Sequence, residues 1–224
     1  MNYTYTLKRS KRKTMSLSVK PDCSIVVHAP LTTSNERIEN FINTHSAWIE
    51  NQLQRMRQLN EKKQSFTLDY SSRVYFFGCR LPIEKATVRK AKLESDRILM
   101  PCNLTDEQIR QQLITLYKET AHSYIGNQLP AFAKMVGVTP TKLRISSAKT
   151  NWGSCTADRV NFSWHLMMAE KEVIDYVIIH ELCHIHHHNH SDKFWAEVSK
   201  YCPNWKKLRA RLKFYSEIVR VENW

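Results

Sequence analysis

Apolar and polar positions alternate over residues 16–20, and a β-branched apolar run lies within 24–28 beyond Pro21-Asp22, which predicts two strands joined by a turn. After Pro30 the period changes. Ile38, Phe41, Ile42, Trp48, Ile49, Leu53 and Met56 recur at helical spacing and predict one long helix over 34–58. Residues 73–78 start a second β region, with 81–83 and 98–100 as partners. From Thr105 the pattern is helical: Thr105 and Gln108 form a capping box, and Ile109, Leu113, Leu116, Tyr117, Ala121, Tyr124 and Ile125 carry the stripe to about residue 129. Residues 132–136 extend it, and Gly137-Val138-Thr139-Pro140 ends it. Two strands, 143–147 and 160–164, flank a turn-rich segment at 150–155. Val173, Ile174, Val177, Ile178, Leu182 and Ile185 then mark a helix within 170–189, and two more helices complete the chain. The expected fold class is α+β, with an N-terminal β-rich half holding a long helix (1–103) and a C-terminal helical half with a small sheet (104–224).

Composition narrows the function classes. Of 224 residues 42% are hydrophobic, enough for a packed core. Only 4 are glycine, and neither GxGxxG nor GxxxxGK[ST] occurs, which argues against dinucleotide or P-loop binding. The start of the chain lacks the apolar stretch of a signal peptide, and no apolar run approaches a membrane span. Six scattered cysteines with no CxxC pair fit reduced thiols and a cytoplasmic location. The net charge of +13 is concentrated in Lys8, Arg9, Lys11, Arg12 and Lys13, and in Lys206, Lys207, Arg209, Arg211 and Lys213. Such blocks are usually solvated faces, but they also suit a polyanion such as a nucleotide or nucleic acid.

The chemistry lies in His180-Glu181-Leu182-Cys183-His184, an HExxH run on the predicted helix. Residues four apart on a helix stand one turn above each other, so the two imidazoles reach one ion from the same face. Glu181 projects beside them as a base for a metal-bound water. His190, six residues beyond His184, completes a three-histidine set for one Zn2+ or another divalent metal. Metzincins use the same interval, but the glycine at which their run turns is His187 here. Ser191 and Asp192 read as the start of the next helix, which would hold His190 from both sides. Cys183 reads as a small core residue, and His186, His187 and His188 as cleft-lining or solvent-facing groups.

Trp152-Gly153-Ser154-Cys155, then Val173-Ile174-Asp175-Tyr176-Val177-Ile178-Ile179 leading into the HExxH run, then Asn189-His190-Ser191 and Phe194-Trp195, follow one another in order. Together they resemble the YgjP-like metallopeptidase family, itself related to SprT-like proteases, and the likeness extends over almost the whole chain. The resemblance implies a zincin-like catalytic half, His180, His184 and His190 as ligands, and Glu181 as catalytic acid/base. It also suggests that Trp152, Gly153, Ser154 and Cys155 border the cleft. Three positions depart from the family pattern: Asn151 stands where Arg is frequent, Ser163 where Asn is common, and Glu170 where a Pro precedes the metal helix.

The expected activity is a zinc-dependent peptidase acting on a peptide or protein. Tyr176, His165 and His188 are candidates to stabilise the oxyanion, and the strand at 160–164 a candidate edge for an extended substrate. Some members of the family are described as UTP pyrophosphatases, so a nucleoside triphosphate is the alternative substrate. Three neutral imidazoles favour zinc over the magnesium usual for phosphate chemistry. A DNA-associated protein with secondary protease activity is the third reading, motivated by the basic blocks.

Overall fold

A computed structural model describes residues 3–224. Its contacts divide the chain into two compact units, between Phe66 and Thr67.

In the first unit β1 (Tyr5–Ser10), β2 (Ser16–Val19) and β3 (Ile25–Pro30) form a sheet in the order β1-β3-β2. The predicted hairpin is β2 and β3, paired antiparallel; β1 adds to β3 in parallel, with Tyr5 opposite Ile25. The predicted long helix is two: α1 (Asn35–Thr44) and α2 (Ser46–Ser65). The break falls at His45, whose ring Nδ1 donates to the Phe41 carbonyl at 2.8 Å while its main chain leaves helical values. Apolar spacing is blind to this break because Ile38 and Ile42 before it, and Ile49 and Leu53 after it, enter the same core as Ile25, Val27 and Ala29.

The second unit begins with β4 (Arg73–Phe76), β5 (Cys79–Ala86), β6 (Lys92–Leu93) and β7 (Ile98–Pro101), ordered β4-β5-β7-β6. β4 and β5 join through Phe77 and Gly78, both at positive φ (47° and 83°), the two-residue geometry that suits the twist of a hairpin. The main-chain N–H groups of Phe77 and Gly78 donate to Met167 and Met168 at 2.8 and 3.1 Å. A methyl group at Gly78 would lie 2.5 Å from Cγ of Glu170, so this tip must be glycine for both its backbone and its neighbour.

α3 (Asp106–Val136) starts at the predicted capping box and ends at Gly137 in the left-handed conformation. It runs through Pro130 unbroken, with that residue on its exposed side. Tyr117 of α3 stacks between Phe76 of β4 (4.7 Å) and Trp164 (5.4 Å), with Trp224 edge-on to both Tyr117 and Trp164. Its hydroxyl donates to the Tyr75 carbonyl at 2.6 Å. This stack makes strands β4–β7 part of the α3 core, and the division expected at 103/104 accordingly falls earlier, after Phe66. Aromatic burial of this size outweighs any change of composition along the chain as a guide to where a compact unit begins.

β8 (Lys142–Ser146), β9 (Gly153–Cys155) and β10 (Arg159–Ser163) form the small sheet predicted for the C-terminal half, in the order β8-β10-β9. β10 is therefore central, and the substrate edge expected at 160–164 is not an edge. The two edges belong to β8 and to β9, the latter within the segment read as turn. A 3-10 turn (Trp164–Met168) leads into α4 (Lys171–His186), which buries Val173, Ile174, Val177, Ile178 and Leu182. α5 (Asp192–Tyr201) and α6 (Trp205–Val221) follow. Among the described residues all six cysteines are free, Cys183 is buried as expected, and no helix is long and apolar enough to cross a membrane.

Candidate metal centre

α4 carries His180 and His184 on one face, with their Nε2 atoms 3.2 Å apart. The loop into α5 brings His190 to the same point, its Nε2 lying 3.1 Å from that of His180 and 3.2 Å from that of His184. That loop is set by Asn189, whose Oδ1 accepts from the Ser191 N–H at 3.2 Å, and Ser191 precedes α5 without a side-chain cap bond. Phe194 packs against all three rings, at 4.4 to 4.9 Å between centroids. Trp195 stacks on His190 at 5.4 Å.

The protonation of this trio follows from its partners. A carbonyl can only accept, so the 2.9 Å contact from His184 Nδ1 to the His187 oxygen places the proton on Nδ1. Nε2 of His184 is then the nitrogen left facing the other two Nε2 atoms. Burial, followed by the neighbouring histidines and Arg209, holds His180 down at about 3, and the same kinds of cause lower His190. Neutral imidazoles converging nitrogen to nitrogen repel unless a cation lies among them. The spacing fits one: donors of a tetrahedral zinc site with bonds of about 2.05 Å stand about 3.3 Å apart. The three nitrogens of His180, His184 and His190 form a group able to hold a metal.

Glu181 points to one side of the trio and is only 7% exposed. Burial raises its carboxyl to about 7. β9 lies against it so closely that a methyl group on Gly153 would stand 2.6 Å from Cγ and 2.8 Å from Oε1 of Glu181. Gly153 is the point at which strand and acid can touch.

A cavity of about 700 Å³ opens over the trio, lined by Thr150, Asn151, Trp152, Gly153, Ser154, Cys155, Tyr176, Val177, His180, Glu181, His184, His188, His190, Trp195, Arg209 and Leu212. Of the expected cleft residues, Trp152, Gly153, Ser154, Cys155, Tyr176 and His188 are in this wall. His165 is not. It is 1% exposed, stacked on Trp164 at 3.7 Å, with Nδ1 2.7 Å from the Ser163 hydroxyl. The chain turns at Ser163, so a histidine that follows a strand beside the site faces the core. Burial raises Tyr176 to about 12 and Cys155 to about 11, which keeps both protonated near neutrality. Several liners went unread as cavity residues: Thr150, Val177 and Trp195, and also Arg209 and Leu212, three apart on α6, where the basic block around Arg209 hid it as surface.

His186, His187 and the three departures have structural partners. His186 Nδ1 donates to Glu197 Oε1 at 2.8 Å, and His187 Nε2 stands 2.8 Å from Oε2. Asn151 donates to the Gly153 carbonyl at 3.3 Å, so it touches the segment that confronts Glu181. Ser163 binds both the Ala148 carbonyl and His165, each at 2.7 Å. Glu170, in place of a proline, pairs with Arg211 and ties α6 to the start of α4.

The family model for the YgjP-like metallopeptidase domain matches residues 13–215. Among solved structures, the chain is similar to the crystal structure of the metallopeptidase zymogen abylysin from Pyrococcus abyssi, at 26% identity and a TM-score of 0.37. That match covers 39% of this chain and 90% of the other. No curated protein matches the chain. With nearly all of its length inside the family model and a three-histidine centre beside a buried glutamate, the chain belongs to the YgjP-like metallopeptidase family.

Proposed function

We propose that the protein is a zinc peptidase in which His180, His184 and His190 hold the metal and Glu181 handles the proton. The observation that carries this reading is the convergence of three imidazole Nε2 atoms within 3.2 Å of one another, next to a buried carboxyl on the helix of His180 and His184. Zinc in such a site supplies a Lewis acid that polarises a carbonyl and lowers the pKa of water toward about 7. The set contains imidazoles and no carboxylate ligand, which suits zinc better than magnesium.

Glu181 takes a proton from the attacking water at its carboxylate and returns it to the leaving amine. A carboxyl whose affinity for protons is raised by burial is matched to both halves of that task near neutral pH. Tyr176, one turn before His180 on α4, keeps its phenolic proton and lines the cavity, so it is positioned to donate to the developing oxyanion. β9 offers its unpaired edge beside the cavity, where an extended peptide can add as a further strand.

The test is Glu181→Gln, which keeps the shape and removes the base. Peptide hydrolysis by zinc-loaded protein should fall by about 10²–10⁴-fold, with one zinc per chain retained. Unchanged hydrolysis in this variant would remove Glu181 from the reaction.

A further inference from the structure

Among the side chains that line the cavity, Glu181 is the one acid and Arg209 the one permanent cation. Arg209 reaches the cavity from α6, far in sequence from the metal helix. Its guanidinium lies over the Trp195 ring, 5.1 Å from the centroid. Trp195 is itself braced: Trp205 stacks on it at 4.0 Å and 14°, and His190 at 5.4 Å and 21°. The platform that carries the guanidinium therefore also touches a residue of the histidine trio.

Two of the neighbouring cations of α6 are engaged elsewhere. Arg211 pairs with Glu170, and Lys206 lies over the outer indole of Trp205 at 5.6 Å. Arg209 has no hydrogen bond or ion pair to any described residue. A planar fork stacked on an aromatic face is oriented before anything binds, and its N–H donors match a carboxylate two at a time. Arg209 is solvent-exposed, so its charge is hydrated in the free protein and open to an anionic occupant of the cleft.

We propose that Arg209, seated on Trp195, is a carboxylate-recognition residue that selects peptides carrying an acidic group beside the cleavage site, from either a C-terminus or an Asp or Glu side chain. This rests on the peptidase reading for its substrate class, but its test reads binding as well as turnover. The single acid in the cavity, Glu181, packs against β9 at Gly153 and forms no ion pair with Arg209. A peptide entering along β9 would then be held at two points, by main-chain pairing and by its own negative charge.

The experiment measures affinities of zinc-loaded Glu181→Gln protein for matched peptides, by calorimetry. One pair differs only in a free C-terminus against a C-terminal amide; a second differs only in Glu against Gln at one internal position. The same measurements are made with Arg209→Met and Arg209→Lys introduced into that protein, and wild-type hydrolysis of each peptide is followed in parallel. At least one pair should favour the carboxylate by about tenfold or more, as a charge-assisted bond implies. Arg209→Met should bring the ratio below about twofold, and Arg209→Lys should restore part of it through charge alone. The pair that responds identifies the source of the carboxylate. A structural role for Arg209 would weaken both members of a pair equally and leave the ratio unchanged, which overturns the proposal. Equal binding of acid and amide by the protein with Arg209 intact also overturns it. Selective, Arg209-dependent binding without any wild-type hydrolysis would sink the peptidase reading and leave the carboxylate assignment standing. Hydrolysis without selectivity would do the reverse.

Discussion

His184 donates its Nδ1 proton to the main-chain oxygen of His187 at 2.9 Å, and this bond aims its Nε2 at the metal centre. The His187 ring in turn stands 2.8 Å from Glu197 of α5, whose other oxygen accepts from His186. Glu197 thus fixes the turn that presents both the orienting carbonyl and, three residues on, His190. Replacing Glu197 by Ala should lower zinc affinity by about 10–100-fold without unfolding the protein, read by competition with a chelator of known affinity. Unchanged affinity would mean that the helix alone orients His184.

His190 and His188 make a sharper contrast because both line the cavity and lie two residues apart. Only His190 has its Nε2 among the trio. His190→Ala should abolish stoichiometric zinc, as His184→Ala should, whereas His188→Ala should keep one zinc per chain. Metal analysis after gel filtration decides it. Retention of tightly bound zinc in His190→Ala would exclude His190 as a ligand.

Gly153→Ala adds a methyl group that meets Cγ of Glu181 at 2.6 Å. Either β9 or the glutamate must shift, and a displacement of about 1 Å at a reacting group costs about 10²-fold in rate. The expected result is a loss of kcat with zinc content unchanged. A variant as active as the wild type would show that the close packing of β9 on Glu181 serves stability alone.

The buried His165 gives a pH signature unrelated to the metal. Burial, and then the charge of Lys149, hold its pKa down at about 4, against 6.5 for the free side chain. Between pH 6.5 and 4 the unfolded chain binds this proton and the folded chain does not. The stability that His165 contributes as a neutral ring is present above pH 6.5 and is lost as pH falls to about 4, at up to about 1.4 kcal/mol per pH unit. Urea unfolding of wild type and His165→Asn should show wild-type stability falling relative to the variant over that window. Parallel curves would contradict the assignment.

The convergence of the three histidines was legible in the sequence because a helix converts the spacing of His180 and His184 into one face, and because Ser191-Asp192 marks where the next helix begins. The capping box at Thr105 and the stop at Gly137 were legible for the same reason: each is local chemistry at a helix end. What escaped depends on contacts between distant segments. Arg209 joins the cavity only because α6 packs beside α4, and a charge within Lys206, Lys207, Arg209 and Arg211 carries no mark of the side it faces. β9 is three residues long, too short for alternation to register, yet it holds the sheet edge that was expected of β10. His45 breaks a helix whose apolar stripe continues across the break, and the Phe76–Tyr117–Trp164 stack joins strands to a helix that the chain separates widely.

The most direct test of zinc-dependent peptide hydrolysis at this centre is one incubation, followed by mass spectrometry. Zinc-loaded protein, zinc-stripped protein and zinc-loaded Glu181→Gln would each receive a mixed peptide library together with the four common ribonucleoside triphosphates. New peptide termini are expected in the first sample only, with the triphosphates intact. Loss of UTP or another triphosphate with the peptides uncut, and dependent on Glu181, would contradict it and make the centre a nucleotide hydrolase.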